Sequence, residues 1–242
     1  MHKEYRRIVH NAGKAILLIH GIAGTPNHFK RLMPLIPESI SVVNILLDGH
    51  GKGVKDFAQS SMKKWEEQVA LAVDKLSQQH DEIYIVAHSL GCLLAIEQAV
   101  ANAKVKKLFL LAAPLKLFLK PRMFVNSLKV YFNIDTGNER IIAAKECYGI
   151  RDSKNPLLYI GWLPRFFELF SKIKKTRKII PYLRTPCVAC QSCHDEMVAK
   201  KSGRILESNP VISVIELKNS SHYYYEKNDF LLLKEQFTEF LL

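Results

Sequence analysis

The 242-residue sequence lacks any run approaching the roughly 20 apolar residues that cross a bilayer. Its opening residues, Met1-His2-Lys3-Glu4-Tyr5-Arg6-Arg7, contain no apolar stretch of the signal-peptide kind. These absences set a cytoplasmic address as the expectation. Cysteine is scarce and odd in number, five in all, which fits reduced thiols better than a disulfide framework. There is no internal repeat, no low-complexity tract and no nucleic-acid motif, and the aromatics of the basic region fall in apolar clusters rather than on a base-stacking platform. Carboxylates are outnumbered, 23 Asp and Glu against 35 Lys and Arg, for a formal charge of +12. From Lys116 to Arg184 there are fifteen Lys/Arg and five Asp/Glu, so that segment alone holds +10. Such a basic face suits nucleic acid, an anionic membrane or an acidic substrate, or serves only as a solvated surface.

What is present suffices for one sizeable core. With 48% hydrophobic and 24% charged residues, the chain fits a single globular domain with room for an inserted subdomain. Lys14-Ala15-Ile16-Leu17-Leu18-Ile19 is a nearly continuous apolar run of the kind buried on both faces of a parallel sheet. A short edge strand near residues 6–10 precedes it, and a glycine-rich loop and a helix over 27–35 follow. Further strands are expected at 41–47, 83–87, 105–112, 187–191 and 211–217, and helices at 62–79, 90–103, 198–207 and 228–241. Trp65, Val69, Ala72, Val73 and Leu76 recur on one face of the helix at 62–79. Alternating strands and helices imply a doubly wound α/β fold with a mostly parallel sheet, helices on both faces and right-handed crossovers. The rhythm stops at Pro114 and resumes after Arg184. The core is therefore 1–113 with 185–242, and 114–184 is a helical insertion with apolar clusters Leu115/Leu117/Phe118/Leu119 and Trp162/Leu163/Phe166/Phe167/Leu169/Phe170.

Cys187-x-x-Cys190-x-x-Cys193-His194 invites a metal reading, but alternation along a strand puts Cys190 on the opposite face from the other two. Small buried side chains are the expected role, with no metal. The strand at 83–87 runs into Ala87-His88-Ser89-Leu90-Gly91, a serine between small residues. A hydroxyl held at a tight strand-to-helix turn is presented for attack on a carbonyl, with backbone N–H groups close by for the oxyanion. Ligands of such sheets meet the carboxyl ends of the strands. Ser89, Asp195 and His222 each follow a different strand, in the order Ser, Asp, His. In that order His222 accepts the Ser89 proton and Asp195 fixes the imidazole's tautomer, while the N–H groups of Leu90 and Ile22 are the expected oxyanion donors. His20, His50 and His88 sit within the glycine turns, where structural hydrogen bonds are expected. Glu196 is the alternative acid to Asp195, disfavoured because its loop is expected to turn it outward, and Asp48 is expected to cap its own glycine turn.

Together with Leu17-Leu18-Ile19-His20-Gly21-Ile22-Ala23-Gly24, Asp48-Gly49-His50-Gly51, the Lys64-Trp65 helix and the 194–198 run His-Asp-Glu-Met-Val, these features resemble the serine hydrolases of the α/β-hydrolase superfamily, above all small bacterial carboxylesterases and monoacylglycerol lipases. Ala87 stands where the elbow usually has glycine, and Ser221 where glycine often precedes the histidine. The short N-terminus implies a sheet with reduced N-terminal strands. The resemblance implies a carboxylic-ester hydrolase with an acyl-serine intermediate and no cofactor, acting on a small ester with an apolar acyl chain. It also implies that 114–184 is a cap, whose Phe118, Trp162, Phe166 and Phe167, with Tyr223, either line an acyl pocket or only pack the cap. Through its charge the cap could favour anionic membrane surfaces. A thioesterase, a peptidase on the same triad, or a ligand-binding protein on the hydrolase scaffold remain as alternatives, the peptidase disfavoured because the cap is basic rather than acidic.

Overall fold

Apolar runs too short for helices, alternating between two faces, build the centre of the molecule. A computed structural model describes residues 3–118 and 137–242. Among these, seven strands form one sheet: β1 (Tyr5–Arg7), β2 (Lys14–Ile19), β3 (Ser41–Ile45), β4 (Glu82–His88), β5 (Val105–Leu111), β6 (Cys187–Ser192) and β7 (Ile212–Leu217). Their order is β1-β3-β2-β4-β5-β6-β7, all parallel except the antiparallel edge pair β1 and β3. Alternation decides which side each residue serves. Ala15, Leu17, Ile19, Ile83, Ile85 and Ala87 enter one core, and Ile16, Leu18, Tyr84 and Val86 enter the other.

The first core is covered by α2 (Met62–Gln79), α3 (Leu90–Ala101) and α5 (Leu163–Ile179). Its centre is Trp65, Val69, Val73 and Leu76 from α2, the stripe that the helical spacing singles out. Ser61 caps α2 by accepting the Lys64 N–H at 3.2 Å, an arrangement worth about 1 kcal/mol. The second core is closed by α7 (Lys227–Leu241), through Leu233, Phe237 and Phe240. Cys187 packs in the first core and Cys190 in the second, so β6 does separate these thiols, and all five cysteines are free. Three short helices complete the set among the described residues: α1 (Val54–Ala58), α4 (Glu139–Cys147) and α6 (Lys201–Glu207).

One local expectation is corrected, and one element was not foreseen. The helix expected over 27–35 is a pair of 3₁₀ turns, Pro26–Phe29 and Met33–Leu35, because Pro34 has no N–H to give and its ring would collide with the preceding turn. Helix α1 carries too few apolar repeats for periodicity to reveal it, and Asp56 holds its start by accepting the Gly53 N–H at 3.0 Å.

The 114–184 region divides by contact, and its Leu119 lies outside the described residues. Residues 147–151 are sewn onto the loops that follow β2 and β3: Gly149 N–H donates to Ala23 O at 2.9 Å, Gly51 N–H to Gly149 O at 2.7 Å, and Arg151 N–H to Lys52 O at 2.7 Å. Helix α5 joins the helical layer instead. Leu169 and Ile173 are buried in the first core, and Lys172, only 3% exposed, lies between Glu66 of α2 at 2.6 Å and Glu97 of α3. Burial alone would raise the Glu97 pKa, but hydrogen bonds from Lys172 and Lys175 outweigh it and hold the carboxyl below its ordinary value. No described helix is long and apolar enough to cross a membrane.

Removing Lys172 leaves two half-buried carboxylates facing each other. Lys172→Ala is expected to lower the unfolding free energy by about 2–3 kcal/mol in urea titration, a value reduced for the carboxylates' partial exposure. Lys172→Met, which refills the volume, is expected to recover part of that loss.

Candidate active site

Ser89 is the single residue between the end of β4 and the start of α3, at φ 51° and ψ −119°, a conformation that a non-glycine residue adopts only under constraint. Its N–H donates to Leu111 O at 2.9 Å, and its carbonyl accepts the Cys92 N–H at 2.9 Å, so the turn is tied to β5 and to the helix at once. Two glycines make the crowding tolerable. A Cβ on Gly91 would lie 2.1 Å from Ile19 O, so the start of α3 crosses β2 only because that side chain is missing. A Cβ on Gly21 would lie 2.9 Å from Ser89 Cβ, which is how closely the 20–24 loop approaches the serine. Ala87, fully buried in the first core, meets no such limit as a one-carbon side chain.

The other two sequence-selected groups meet on the neighbouring strand ends. His222 Nδ1 donates to Asp195 Oδ2 at 2.7 Å, with each residue 2% exposed. Asp195 Oδ1 accepts the N–H groups of Met197 at 2.7 Å and Val198 at 2.8 Å, which fixes the carboxylate's plane. In the neutral ring an Nδ1 that donates makes Nε2 the acceptor. That nitrogen is buried and hydrogen bonds to nothing among the described residues, Ser89 Oγ included. Serine–histidine bonds in unliganded sites are often long or unformed. Ser89 is itself only 5% exposed.

Both peptide groups of His222 are also held. Its N–H donates to Glu196 Oε2 at 3.2 Å, and its carbonyl accepts from His88 Nε2 at 3.0 Å. Glu196 is thus turned inward and buried, contrary to the outward orientation expected of it: the backbone N–H of His222 is the partner that draws the carboxylate in. Behind them, Asp229 in the first turn of α7 accepts from Lys218 N at 3.1 Å, Asn219 N at 2.7 Å and Ser220 Oγ at 2.7 Å. His194 N–H reaches Ser220 O at 3.1 Å and joins the acid loop to the base loop. Sequence reasoning missed Asp229, although an acid beginning the terminal helix just after the base was a usable signal.

Two buried histidines, His20 and His50, brace loops. His20 Nε2 accepts the Leu47 N–H at 3.0 Å, and His50 Nε2 accepts the Ala23 N–H at 3.1 Å, so the 20–24 loop and the 47–50 turn hold each other. Asp48 does not cap that turn with its carboxylate, which accepts from Ser60 Oγ at 2.9 Å and pairs with Lys64 at 3.5 Å, because His50 already fills the role. His28 stacks on His88 with ring centres 3.6 Å apart. Burial pushes the pKa of His50 down to about 4; burial, and next the nearby His222, push that of His28 down to about 3.

The aromatic residues offered as a pocket separate. Tyr223 stands edge-on to His222, 4.7 Å between ring centres. Phe118, Phe166 and Phe167 are exposed, and Trp162 packs on Phe57 while its indole N–H donates to Val54 O at 3.1 Å. The side of α5 that carries Phe166 and Phe167 is the one turned from the core, and Phe118 N–H donates to Met197 O at 2.8 Å, beside the Asp195 loop.

Residues 16–232 match the alpha/beta hydrolase family. The chain belongs to that family. A search of curated proteins finds no match. Among solved structures, this α/β-hydrolase is similar to a lipolytic enzyme of the metagenome-derived pair LipS and LipT, at 19% identity and TM-score 0.75, covering 99% of this chain and 96% of that one. It is similar as well to the monoacylglycerol lipase of Paleococcus ferrophilus (16%, TM-score 0.68, 99% and 98% covered). A third is Est1E of Butyrivibrio proteoclasticus with bound ferulic acid (16%, TM-score 0.66, 99% and 93% covered).

The lowered histidine pKa values fix a direction of acid sensitivity. Below about pH 6.5 the unfolded chain takes up protons at positions 28 and 50 that the folded chain refuses, so stability falls as pH falls, until the folded values are reached. Between pH 7 and pH 5 the two rings together are expected to cost about 4 kcal/mol in urea titrations, and a His50→Asn variant should show about half of that slope.

Proposed function

We propose that this α/β-hydrolase is a carboxylic-ester hydrolase that works through an acyl-Ser89 intermediate. The observation that carries the reading is the buried 2.7 Å bond from His222 Nδ1 to Asp195 Oδ2, because it directs the other ring nitrogen, Nε2, to the role of base toward Ser89 at the strand ends. As Ser89 Oγ bonds to the ester carbon, Nε2 takes the hydroxyl proton and the carbonyl π electrons pass to oxygen. The N–H of Leu90, first residue of α3, and that of Ile22, in the loop pressed against Ser89, receive the oxyanion. Collapse of the adduct breaks the bond to the alcohol oxygen, which leaves with the proton from Nε2. Water then repeats the sequence on the acyl-enzyme and releases the acid. Asp195 balances the imidazolium in each half, and the reaction needs neither metal nor organic cofactor. Esterase and lipase chemistry in the proteins of similar fold supports an ester over other acyl substrates.

A panel of p-nitrophenyl esters of increasing chain length tests the reading, run beside acyl-CoA and amino-acid amides. Turnover of esters is expected, with kcat reduced about 10⁴-fold or more by Ser89→Ala and about 10⁴-fold by Asp195→Asn at unchanged fold. Ester turnover that Ser89→Ala leaves intact would remove the serine from the reaction.

A further inference from the structure

The outward face of α5 is neither core nor ordinary polar surface. Leu163, Phe167, Phe170, Lys174 and Lys178 follow one another at three- and four-residue steps, opposite the buried Arg165, Leu169, Lys172, Ile173 and Thr176. The first two turns of that face are apolar, with Phe167 69% exposed, and the turn before the helix adds Leu157, also 69% exposed, and Ile160. The last two turns are cationic. Lys175 pairs with Glu97 and Arg177 reaches Leu115 O, but Lys174 and Lys178 point outward with no acidic residue on the same face. The sole acid of the helix, Glu168, is held by Arg165 at 2.8 Å and by the Met62 N–H at 2.9 Å.

Clustered exposed apolar side chains of this size mark an interaction surface. Here they form a ridge on a helix rather than a groove, which suits insertion into a soft layer better than a rigid matching partner. Leucine and phenylalanine leading into lysine along one face match the interfacial zone of a bilayer, where the rings enter the acyl boundary and the cations meet the headgroups. The geometry points to an anionic phospholipid surface as the partner of the 157–178 face, with Leu163 and Phe167 inserted and Lys174 and Lys178 at the phosphates. This docking does not depend on the proposed ester chemistry, and it is read by binding alone.

The test is co-sedimentation of the full chain with vesicles of phosphatidylcholine containing about 30% phosphatidylserine, and with vesicles of phosphatidylcholine only. Partitioning onto the anionic vesicles is expected to be at least about tenfold stronger at about 0.1 M salt, and to fall about fivefold or more at about 0.5 M. The double variants Leu163→Ser/Phe167→Ser and Lys174→Glu/Lys178→Glu, all at exposed positions, should each weaken it about tenfold at unchanged circular dichroism and urea midpoint. Equal binding to both vesicle types, no binding, binding that either double variant retains, or self-association through this face without vesicle binding would each overturn the assignment.

Discussion

One imidazole gathers the candidate site. The ring of His222 is fixed by Asp195, its N–H by Glu196 and its carbonyl by His88, and the loop behind it by Asp229. Two of these partners are chain neighbours of the other candidate residues: His88 precedes Ser89 and Glu196 follows Asp195. The Ser89 turn and the Asp195 loop are therefore both tied to the backbone of His222. A buried His–Asp pair is costly to desolvate, and such a pair is tolerable only where remaining polar groups are satisfied. The two N–H donors on Asp195 Oδ1 supply that satisfaction here.

The same economy explains the strained serine. Conformations like that of Ser89 cost about 1–3 kcal/mol and persist only when their surroundings over-determine them. Ser89 is held from its N–H by β5 and from its carbonyl by α3, and Gly21 lets the 20–24 loop press on its side chain. That loop is in turn braced by two histidines, His20 and His50, which contact edge-on at 4.8 Å. A protonated His50 could no longer accept the Ala23 N–H, so the low pKa that burial imposes is also what keeps the loop in place. Rigidity of the site and sensitivity to acid thus have one origin.

Much of this was legible from the residues. The central parallel strands announce themselves because both faces are buried along most of their length and most positions are apolar, and the α2 stripe through Trp65 is a clean helical repeat. The placement of Ser89, Asp195 and His222 after separate strands follows from counting those strands. Two failures depended on partners distant in sequence. Glu196 turns inward for a backbone N–H 26 residues away, and Asp229 organises a loop up to 11 residues before it. Pro34 was readable and breaks the helix expected around it. The cap aromatics could not be oriented, because a cluster such as Trp162, Phe166 and Phe167 has the same spacing whether it lines a pocket or faces outward.

The account rests on Ser89 being a nucleophile that His222 activates. Treatment of the folded chain with a fluorophosphonate, followed by peptide mass mapping, measures this directly. A single phosphonyl adduct on Ser89 is expected, slowed at least about 10³-fold in His222→Ala. A folded, unreactive protein, or an adduct on another residue, would contradict it.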